Sequence, residues 1–294
     1  MRGRTAIVTG AGKGLGRAYA LHLARHGAKV LVNNRRHPGE SDADTSAQQT
    51  VDTIRAAGGT AMVNWCDVTD PDSGTEMVEQ ARSHFDRLDI VIANAGVDRA
   101  RAFAKQSMAD FRTIFDTSFF GNLHLVHAAW PHLTGQDYGR VVLTTSSAGL
   151  YGNYGQTAYS AAKAAVIGLV RALAIEGRRH GVCINAIAPY GYSQMTAPYL
   201  PPEMATTFDP QRVAPLVAWL SSAGCDVNGE VLVCGGGLVR RVGIGETDAL
   251  VVPDATIAAT VHELQPLAWH SHASASDSFT RFLTELPTAA KDSP

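Results

Sequence analysis

Apolar, β-branched runs alternate with amphipathic stretches along most of this 294-residue chain. Such runs are typical of buried strands, and apolar positions three or four residues apart are typical of helices. The pattern predicts seven strands, at residues 5–10, 29–34, 60–68, 88–96, 139–147, 182–189 and 229–237. It predicts helices at residues 15–27, 44–59, 73–85, 107–133, 159–181 and 211–224.

Strands and helices that alternate in this order predict a parallel sheet covered on both faces. We therefore expect an α/β fold, a single doubly wound Rossmann-type domain with seven parallel strands, over residues 1–240. Residues 241–294 differ in character, with a low-complexity patch, SHASASDS, and one short helical pattern, SDSFTRFLTEL. We interpret them as a C-terminal tail, either an appendage or a contact between subunits of an oligomer.

Composition and charge narrow the possible partners. The chain is 45% hydrophobic and 18% charged, with a formal net charge of −2. It therefore has no excess of positive charge that would favour binding to nucleic acid or to an anionic membrane. The four cysteines form no C-x-x-C pair, and the amino terminus does not resemble a signal peptide, which favours the cytoplasm. No apolar run is expected to span a bilayer. His270 and His272 lack a third ligand at a recognisable spacing, so no metal site is expected.

A glycine-rich turn, TGAGKGLG, joins the first predicted strand to the first helix. Gly10, Gly14 and Gly16 would let backbone amides and the helix amino terminus face an anion, with Lys13 and Leu15 in the same turn. The spacing G-x-x-x-G-x-G differs from the commoner dinucleotide pattern, and a simple tight turn is the alternative. The strand before it and the amphipathic helix after it favour a dinucleotide.

The end of the second predicted strand favours NADP(H). An acidic side chain there would accept hydrogen bonds from the adenosine ribose, whereas basic side chains would bind a 2′-phosphate. The chain has Asn34 at that position, followed by Arg35 and Arg36, and Lys13 also adds positive charge. The alternative is that the arginines are solvated loop charges, which leaves NAD(H) possible.

A tyrosine and a lysine one helical turn apart, in YSAAK, are the candidate catalytic pair. Tyr159 and Lys163 would share one helix face, so the lysine charge would lower the pKa of the tyrosine and make it an acid/base group. Taken alone, each could be an ordinary helix residue. Ser146 ends the fifth predicted strand, with Ser147 beside it as an alternative.

Five motifs in this order resemble the short-chain dehydrogenase/reductase family: TGAGKGLG, NAG at residues 94–96, Ser146, YSAAK and INAIAP. The resemblance covers about residues 3–240 and is strongest to the (3R)-hydroxyacyl-CoA dehydrogenases and their bacterial relatives. It implies hydride transfer between a nicotinamide and a secondary alcohol or ketone. The implied substrate is small and apolar, an acyl thioester or a steroid-like molecule, and the implied assembly is a homodimer or homotetramer.

Other functions stay open at this point. The same family includes hydroxysteroid dehydrogenases and 3-oxoacyl-carrier-protein reductases. A non-catalytic dinucleotide-binding regulatory protein is an alternative of a different class. The presence of Ser146, Tyr159 and Lys163 together argues against it.

The family pattern implies a role for each site residue. Ser146 would bind the substrate oxygen, Tyr159 would act as acid/base, and Lys163 would also bind the nicotinamide ribose. The implied cofactor contacts are Gly10, Lys13, Gly14, Leu15, Gly16, Asn34, Arg35, Asp67, Val68, Asn94, Ala95, Gly96, Tyr159, Lys163 and Pro189. For Asp67, a cap on the following turn is an equally simple account.

Two positions depart from the family pattern. Ser118 stands where many members carry a catalytic asparagine that helps to hold a water for a proton relay, and Asn122 follows one turn later. A serine is also able to hold a water. Tyr190 separates Pro189 from Gly191, where members often have Pro-Gly directly.

Residues 190–210 follow the sixth predicted strand and are rich in proline, methionine and tyrosine. We predict that they form a substrate lid with an apolar, adaptable wall. Such a wall suits an acyl chain or a steroid equally. Tyr151 and Tyr154 are interpreted as packing or substrate-wall residues.

Overall fold

Eight strands form one sheet in the part of the chain that the computed structural model describes, residues 1–198, 200–250, 263 and 267–285. The strand order is β3-β2-β1-β4-β5-β6-β7-β8, and every pair from β3 to β7 is parallel. The strands are β1 Thr5–Val8, β2 Lys29–Asn33, β3 Thr60–Asn64, β4 Ile90–Ala93, β5 Gly139–Thr144, β6 Val182–Pro189, β7 Val231–Gly235 and β8 Leu238–Val242. The doubly wound α/β fold is therefore confirmed, and each of the seven predicted strands is present.

The expected count of seven strands is one too low, because β8 was not predicted. This strand follows β7 after Gly236 and Gly237, whose φ values are +60° and +84°. A connection of two residues joins antiparallel neighbours. The strand lacks the apolar signature of the others, since Leu238 is 77% exposed and Arg240 and Arg241 follow it. Charged side chains of this kind are typical of a sheet edge.

Helices connect the strands of the sheet. They are α1 Gly14–Arg25, α2 Ser46–Ala56, α3 Ser73–Phe85, α4 Met108–Phe115, α5 Gly121–Thr134, α6 Ser147–Tyr151, α7 Thr157–Gly177, α8 Ala214–Leu220 and α9 Ala275–Thr284. The long helix predicted over 107–133 is divided, because a π-helical turn, Asp116–Phe120, separates α4 from α5. The short helix α6 was not predicted, and it lies between β5 and α7.

The central strands are buried on both faces, which explains why their sequences are apolar throughout. Every residue of β1, β4 and β5 is buried. Helix α1 contacts α2 and α8, while α3 contacts α5. Two layers of helices therefore exclude water from the sheet, as continuous apolar strands require.

The strand order reverses between β1 and β4. The chain runs outward from β1 through β2 to β3, then returns to β4 on the other side of β1. In open parallel sheets, such a reversal opens a crevice at the carboxyl ends of the two strands, where ligands bind. The glycine turn after β1 and the NAG segment after β4 both lie at this edge.

Helix α7 is part of the domain interior. With the turn that follows it, Thr157–His180 is long and apolar enough to cross a membrane by length and composition, which differs from the expectation that no such run exists. Its Ala162, Val166 and Val170 are nevertheless buried, and the helix contacts β6, α4 and α6. These contacts account for its apolar sequence as that of a core helix.

The chain divides into two compact units, Met1–Arg241 and Val242–Pro294. Within the second unit, the backbones of Glu246 and His270 exchange two hydrogen bonds, of 2.8 and 2.7 Å. The imidazole Nε2 of His272 lies 3.3 Å from the Glu246 carboxylate. Among residues 1–198, 200–250, 263 and 267–285, no three His, Cys, Asp or Glu side chains are grouped as metal ligands.

Helices α3 and α5 approach so closely that only glycine fits at their contact. A Cβ added to Gly74 would lie 2.2 Å from the carbonyl oxygen of His124. We expect Gly74→Ala to lower the free energy of unfolding by about 1–3 kcal/mol, because the backbones must separate. Thr75→Ala, at the exposed neighbouring position, should change it by less than about 0.5 kcal/mol. Urea denaturation of both variants measures the difference, and equal midpoints would contradict the close contact.

Candidate active site

One cavity of about 850 Å³ lies at the crevice formed by the strand reversal. The sequence-predicted residues that line it are Gly10, Lys13, Gly14, Leu15, Asn34, Asn94, Ala95, Gly96, Ser146, Tyr159, Lys163 and Pro189. Five others do not line it: Gly16, Arg35, Asp67, Val68 and Ser118. The structure thus brings together residues from the carboxyl ends of β1, β2, β4, β5 and β6.

The glycine turn is shaped so that its backbone faces the cavity. Gly10 and Gly14 have φ values of +62° and +54°, which disfavour any side chain. A Cβ on Gly16 would lie 2.2 Å from the carbonyl oxygen of Gly10, so Gly16 serves the fold of the turn itself. Helix α1 begins at Gly14 and has no acidic residue in its first turn. This backbone cradle fits the pyrophosphate of a dinucleotide.

Thr9, directly after β1, connects β1 to the NAG segment that follows β4. The hydroxyl of Thr9 accepts hydrogen bonds from the backbone N–H groups of Asn94 and Ala95, at 3.0 and 3.1 Å. The Asn94 amide donates to the Thr9 carbonyl at 3.2 Å and accepts from the Thr144 hydroxyl at 3.3 Å. The NAG segment is therefore held between β1 and β5. Sequence reasoning missed Thr9, which lies just before the glycine motif.

The end of β2 places Asn34 and the arginines at the surface. The Asn34 amide donates to the hydroxyl of Ser46 at 3.3 Å, a contact that the sequence did not indicate. Arg35 and Asp67 lie 3.4 Å apart and are both partly exposed. Arg36 is engaged elsewhere, since its guanidinium lies 4.4 Å from the centre of the Trp65 ring. Arg35 is therefore the more available cation.

Asp67 and Val68 both have structural partners. The Asp67 carboxylate accepts hydrogen bonds from the backbone N–H and the hydroxyl of Thr69, at 3.0 and 2.9 Å, as a turn cap does. Partial burial raises the pKa of Asp67, but the bonds from Thr69 and Arg35 outweigh it and hold the pKa below its usual value. Val68 is buried, and a Cβ on Gly121 would lie 2.8 Å from it.

The catalytic candidates converge from β5, α6 and α7. Ser146 is the N-cap of α6, and its hydroxyl accepts a hydrogen bond from the N–H of Ala148 at 3.2 Å. Tyr159 lies in the first turn of α7 and is 9% exposed. Lys163 is 1% exposed, and its Nζ donates to the carbonyl of Thr144 at 2.8 Å. The Lys163 Nζ lies 5.7 Å from the centre of the Tyr159 ring.

Burial sets the protonation of both groups. It raises the pKa of Tyr159 to about 12, although a hydrogen bond with Ser146 acts in the opposite direction and the charge of Asp98 adds to the rise. Burial lowers the pKa of Lys163 to about 8. The pKa of Tyr159 is therefore raised and not lowered as expected, because the cost of removing the phenolate from water outweighs the hydrogen bond with Ser146. At neutral pH Tyr159 is protonated.

Ser118 supports the backbone behind the cavity. Its hydroxyl accepts a hydrogen bond from the N–H of Val97 and donates to the carbonyl of Val97, each at 3.1 Å. Both hydrogen-bonding roles of the hydroxyl are thus taken by the segment that follows Gly96. The Ser118 carbonyl accepts from the Asn122 amide at 2.9 Å. A Cβ on Gly96 would lie 3.3 Å from the Lys163 Nζ and 3.4 Å from the Ser118 hydroxyl.

The predicted lid supplies part of the cavity wall. From residues 190–210, the lining includes Tyr190, Gly191, Ser193, Gln194, Met195, Thr196, Leu200 and Phe208, while Tyr199 falls outside the described residues. Tyr151 and Tyr154 also line the cavity and are 75% and 89% exposed. Their exposure agrees with a place on the substrate wall and not in the core.

Besides Thr144 and Thr145, three polar lining residues escaped the sequence analysis: Asp98, Asn153 and Gln156. The Gln156 amide donates to the Asp98 carboxylate across 58 positions of the chain. The carbonyl of Gln156 accepts from the Asn153 amide at 2.8 Å. None of the three belongs to a recognised motif, and only their nearness to YSAAK and NAG could have drawn attention to them.

Comparison with known proteins agrees with this geometry. A family model described as short chain dehydrogenase matches residues 4–201. A short-chain type dehydrogenase/reductase from Mycobacterium tuberculosis is 41% identical over 247 residues, which are 83% of this chain and 86% of that protein. The mouse peroxisomal multifunctional enzyme type 2 is 41% identical over 242 residues, which are 82% of this chain. The match spans only 32% of the mouse enzyme.

A solved structure of a short chain dehydrogenase has the same fold as this chain. The crystal structure of a short chain dehydrogenase from Mycobacterium avium superposes with a TM-score of 0.83 at 34% identity. The match covers 92% of this chain and 97% of that one. Family model, relatives and fold agree with the candidate catalytic residues gathered in the cavity. The chain belongs to the short-chain dehydrogenase/reductase family of nicotinamide-dependent oxidoreductases.

Proposed function

We propose that this oxidoreductase interconverts 3-hydroxyacyl and 3-oxoacyl thioesters, such as those of coenzyme A, with a preference for NADP(H). The observation that carries the proposal is the placement of Ser146, Tyr159 and Lys163 in one cavity with the apolar lid residues Met195 and Phe208. Similarity to a 3-oxoacyl-[acyl-carrier-protein] reductase from Synechocystis, 32% identical over 245 residues, supports a thioester substrate. We assign this activity to a catalytic domain of residues 1–240 with a lid at 190–210.

The residues of the site hold the substrate oxygen and move one proton. The Ser146 hydroxyl accepts from Ala148 and bonds to Tyr159, so its proton lies beside the Tyr159 oxygen, where a substrate carbonyl oxygen would receive it. Tyr159, protonated at neutral pH, gives its proton to that oxygen in reduction and recovers one from the alcohol in oxidation. The charge of Lys163 stabilises the phenolate that this transfer leaves behind. The glycine turn would hold the pyrophosphate of the dinucleotide, whose nicotinamide would supply or accept the hydride.

We also propose a cytoplasmic homodimer or homotetramer. Four free cysteines support a reducing compartment. Support for self-association is the outer face of α7, where Ala161, Ala164 and Gly168 are exposed and Ile175 is 54% exposed. Small and apolar side chains of this kind let helices of two subunits approach closely.

Tyr159 provides the direct test of the reaction. We expect the protein to oxidise NADPH in the presence of acetoacetyl-CoA, followed at 340 nm, and Tyr159→Phe to lower kcat about 10²- to 10⁴-fold through loss of the proton donor. Cofactor binding, measured by fluorescence titration, should be largely retained, because the glycine turn and Lys163 stay in place. Tyr151→Phe, which removes another cavity hydroxyl, is the matched control and should retain activity. Absence of turnover with acetoacetyl-CoA under either cofactor would refute the thioester assignment.

The pKa of Lys163 predicts an alkaline limit for reduction. Because burial lowers that pKa to about 8, the charged lysine is lost as pH rises through 8, well before Tyr159 ionises near 12. We expect kcat/KM for reduction to fall about tenfold per pH unit above 8. In Lys163→Arg, which stays charged, the residual activity should lack this limb. If kcat/KM of the arginine variant also falls above pH 8, Lys163 is not the group whose titration causes the fall.

Arg35 tests the cofactor preference. A guanidinium that binds the 2′-phosphate contributes a charge-assisted hydrogen bond, so Arg35→Gln should lower the NADPH/NADH ratio of kcat/KM about tenfold to a hundredfold. Arg36→Gln is the matched control, because Arg36 is occupied by Trp65 and Asp42 and should shift the ratio less than about twofold. A wild-type preference for NADH would show that Arg35 and Lys13 do not select the cofactor.

A further inference from the structure

The cavity wall beside Tyr159 contains a carboxylate whose hydrogen bonding is incomplete. Asp98 follows the NAG segment and lines the same cavity as Ser146 and Tyr159. One carboxylate oxygen, Oδ2, accepts from the Gln156 amide. The other, Oδ1, is buried and has no hydrogen-bond partner among the described residues. A buried carboxylate oxygen without a donor is costly, so its partner is expected to come from outside the chain.

The position of Asp98 is fixed by its neighbours. The Asn153 amide occupies the carbonyl of Gln156 at 2.8 Å, so the Gln156 NH₂ group is the end that faces Asp98. The N–H of Arg101 donates to the carbonyl of Gly155 at 2.8 Å, which joins the two loops that carry Asp98 and Gln156. The carboxylate is therefore anchored through Oδ2. The terminal torsion of aspartate is broad, so a small rotation that keeps Oδ2 near Gln156 would move Oδ1 toward a donor in the cavity.

The chemistry of this wall selects for a hydrogen-bond donor. A carboxylate only accepts, and the Gln156 carbonyl is already occupied by Asn153. A substrate group that brings an N–H or O–H would complete the bonding of Asp98, whereas a free carboxylate on the substrate would be repelled by it. In a coenzyme A or carrier-protein thioester, the amide N–H of the pantetheine arm nearest the sulfur is a donor of this kind.

We propose that Asp98 is a specificity-determining residue that accepts a hydrogen bond from an N–H donor on the thioester arm of the substrate. This inference rests on the proposed thioester function. It adds a requirement on the thioester side of the acyl group, away from the carbon that reacts. The apolar lid residues bind the acyl chain, and the carboxylate recognises the arm.

Two synthetic substrates test the proposal with the full-length protein. S-acetoacetyl-N-acetylcysteamine has one amide N–H, and its N-methyl analogue has none but keeps the carbonyl and the thioester. We expect wild-type kcat/KM to be at least about tenfold higher for the N–H substrate, the effect of one hydrogen bond to a charged acceptor. In Asp98→Leu this ratio should fall to about 1. Because both substrates meet the same variant, general damage to the fold cancels in the ratio.

Tyr154→Phe is the control for loss of a polar group from the same wall. Tyr154 lines the cavity and is 89% exposed, so its variant should keep the wild-type ratio. Equal turnover of the two substrates by the wild type would overturn the role of Asp98 and leave the thioester function intact. A ratio that persists in Asp98→Leu would do the same. No turnover of either thioester, with reduction of another ketone, would overturn the proposed function and this inference with it.

Discussion

Lys163 is bound at both ends to Thr144, the last residue of β5, and to Thr145, which follows it, and the geometry of the site depends on this attachment. Its backbone carbonyl accepts from the Thr145 hydroxyl at 2.6 Å, and its Nζ donates to the Thr144 carbonyl at 2.8 Å. Helix α6 can lie against the same point because Gly149 has no side chain, since a Cβ there would be 2.7 Å from the Lys163 backbone. The register of α7 on the sheet is thus set at the lysine, and Tyr159 lies one turn away.

This attachment removes two ionisable groups of the cavity wall largely from water. Each then favours its neutral form, which is why the pKa of the tyrosine rises and that of the lysine falls. Strongly shifted groups in a cleft are typical of sites that move protons. Burial of a lysine ordinarily destabilises a protein core. Here it brings the pKa of Lys163 down to about 8, close to neutral pH.

The sequence predicted the elements whose signal is local. Apolar runs located seven strands, and motif spacing located Ser146, Tyr159, Lys163 and most of the cofactor cradle. What it missed depends on contacts between distant segments. The edge strand β8 has no buried face, and the π-helical turn at Ser118 leaves no periodic trace in a helical pattern. The pairing of Gln156 with Asp98 and the bridging by Thr9 arise only when loops far apart in the chain meet. The pKa of Tyr159 likewise follows from burial, which spacing alone does not report.

The reversal of strand order also has a consequence for the lifetime of the protein. Thr9 and Asn94 join β1 to β4 at the carboxyl edge of the sheet, and the half formed by β1–β3 meets the half formed by β4–β7 along one seam, the β1–β4 pairing with α1 against α8 and α3 against α5. A dinucleotide lying across that seam would contact both halves and would act as a folding ligand as well as a reactant. At a concentration a hundred times its Kd it would add about 2.7 kcal/mol to the free energy of unfolding. The cellular supply of the cofactor would then govern how much of the enzyme survives proteolysis, as well as how fast it works.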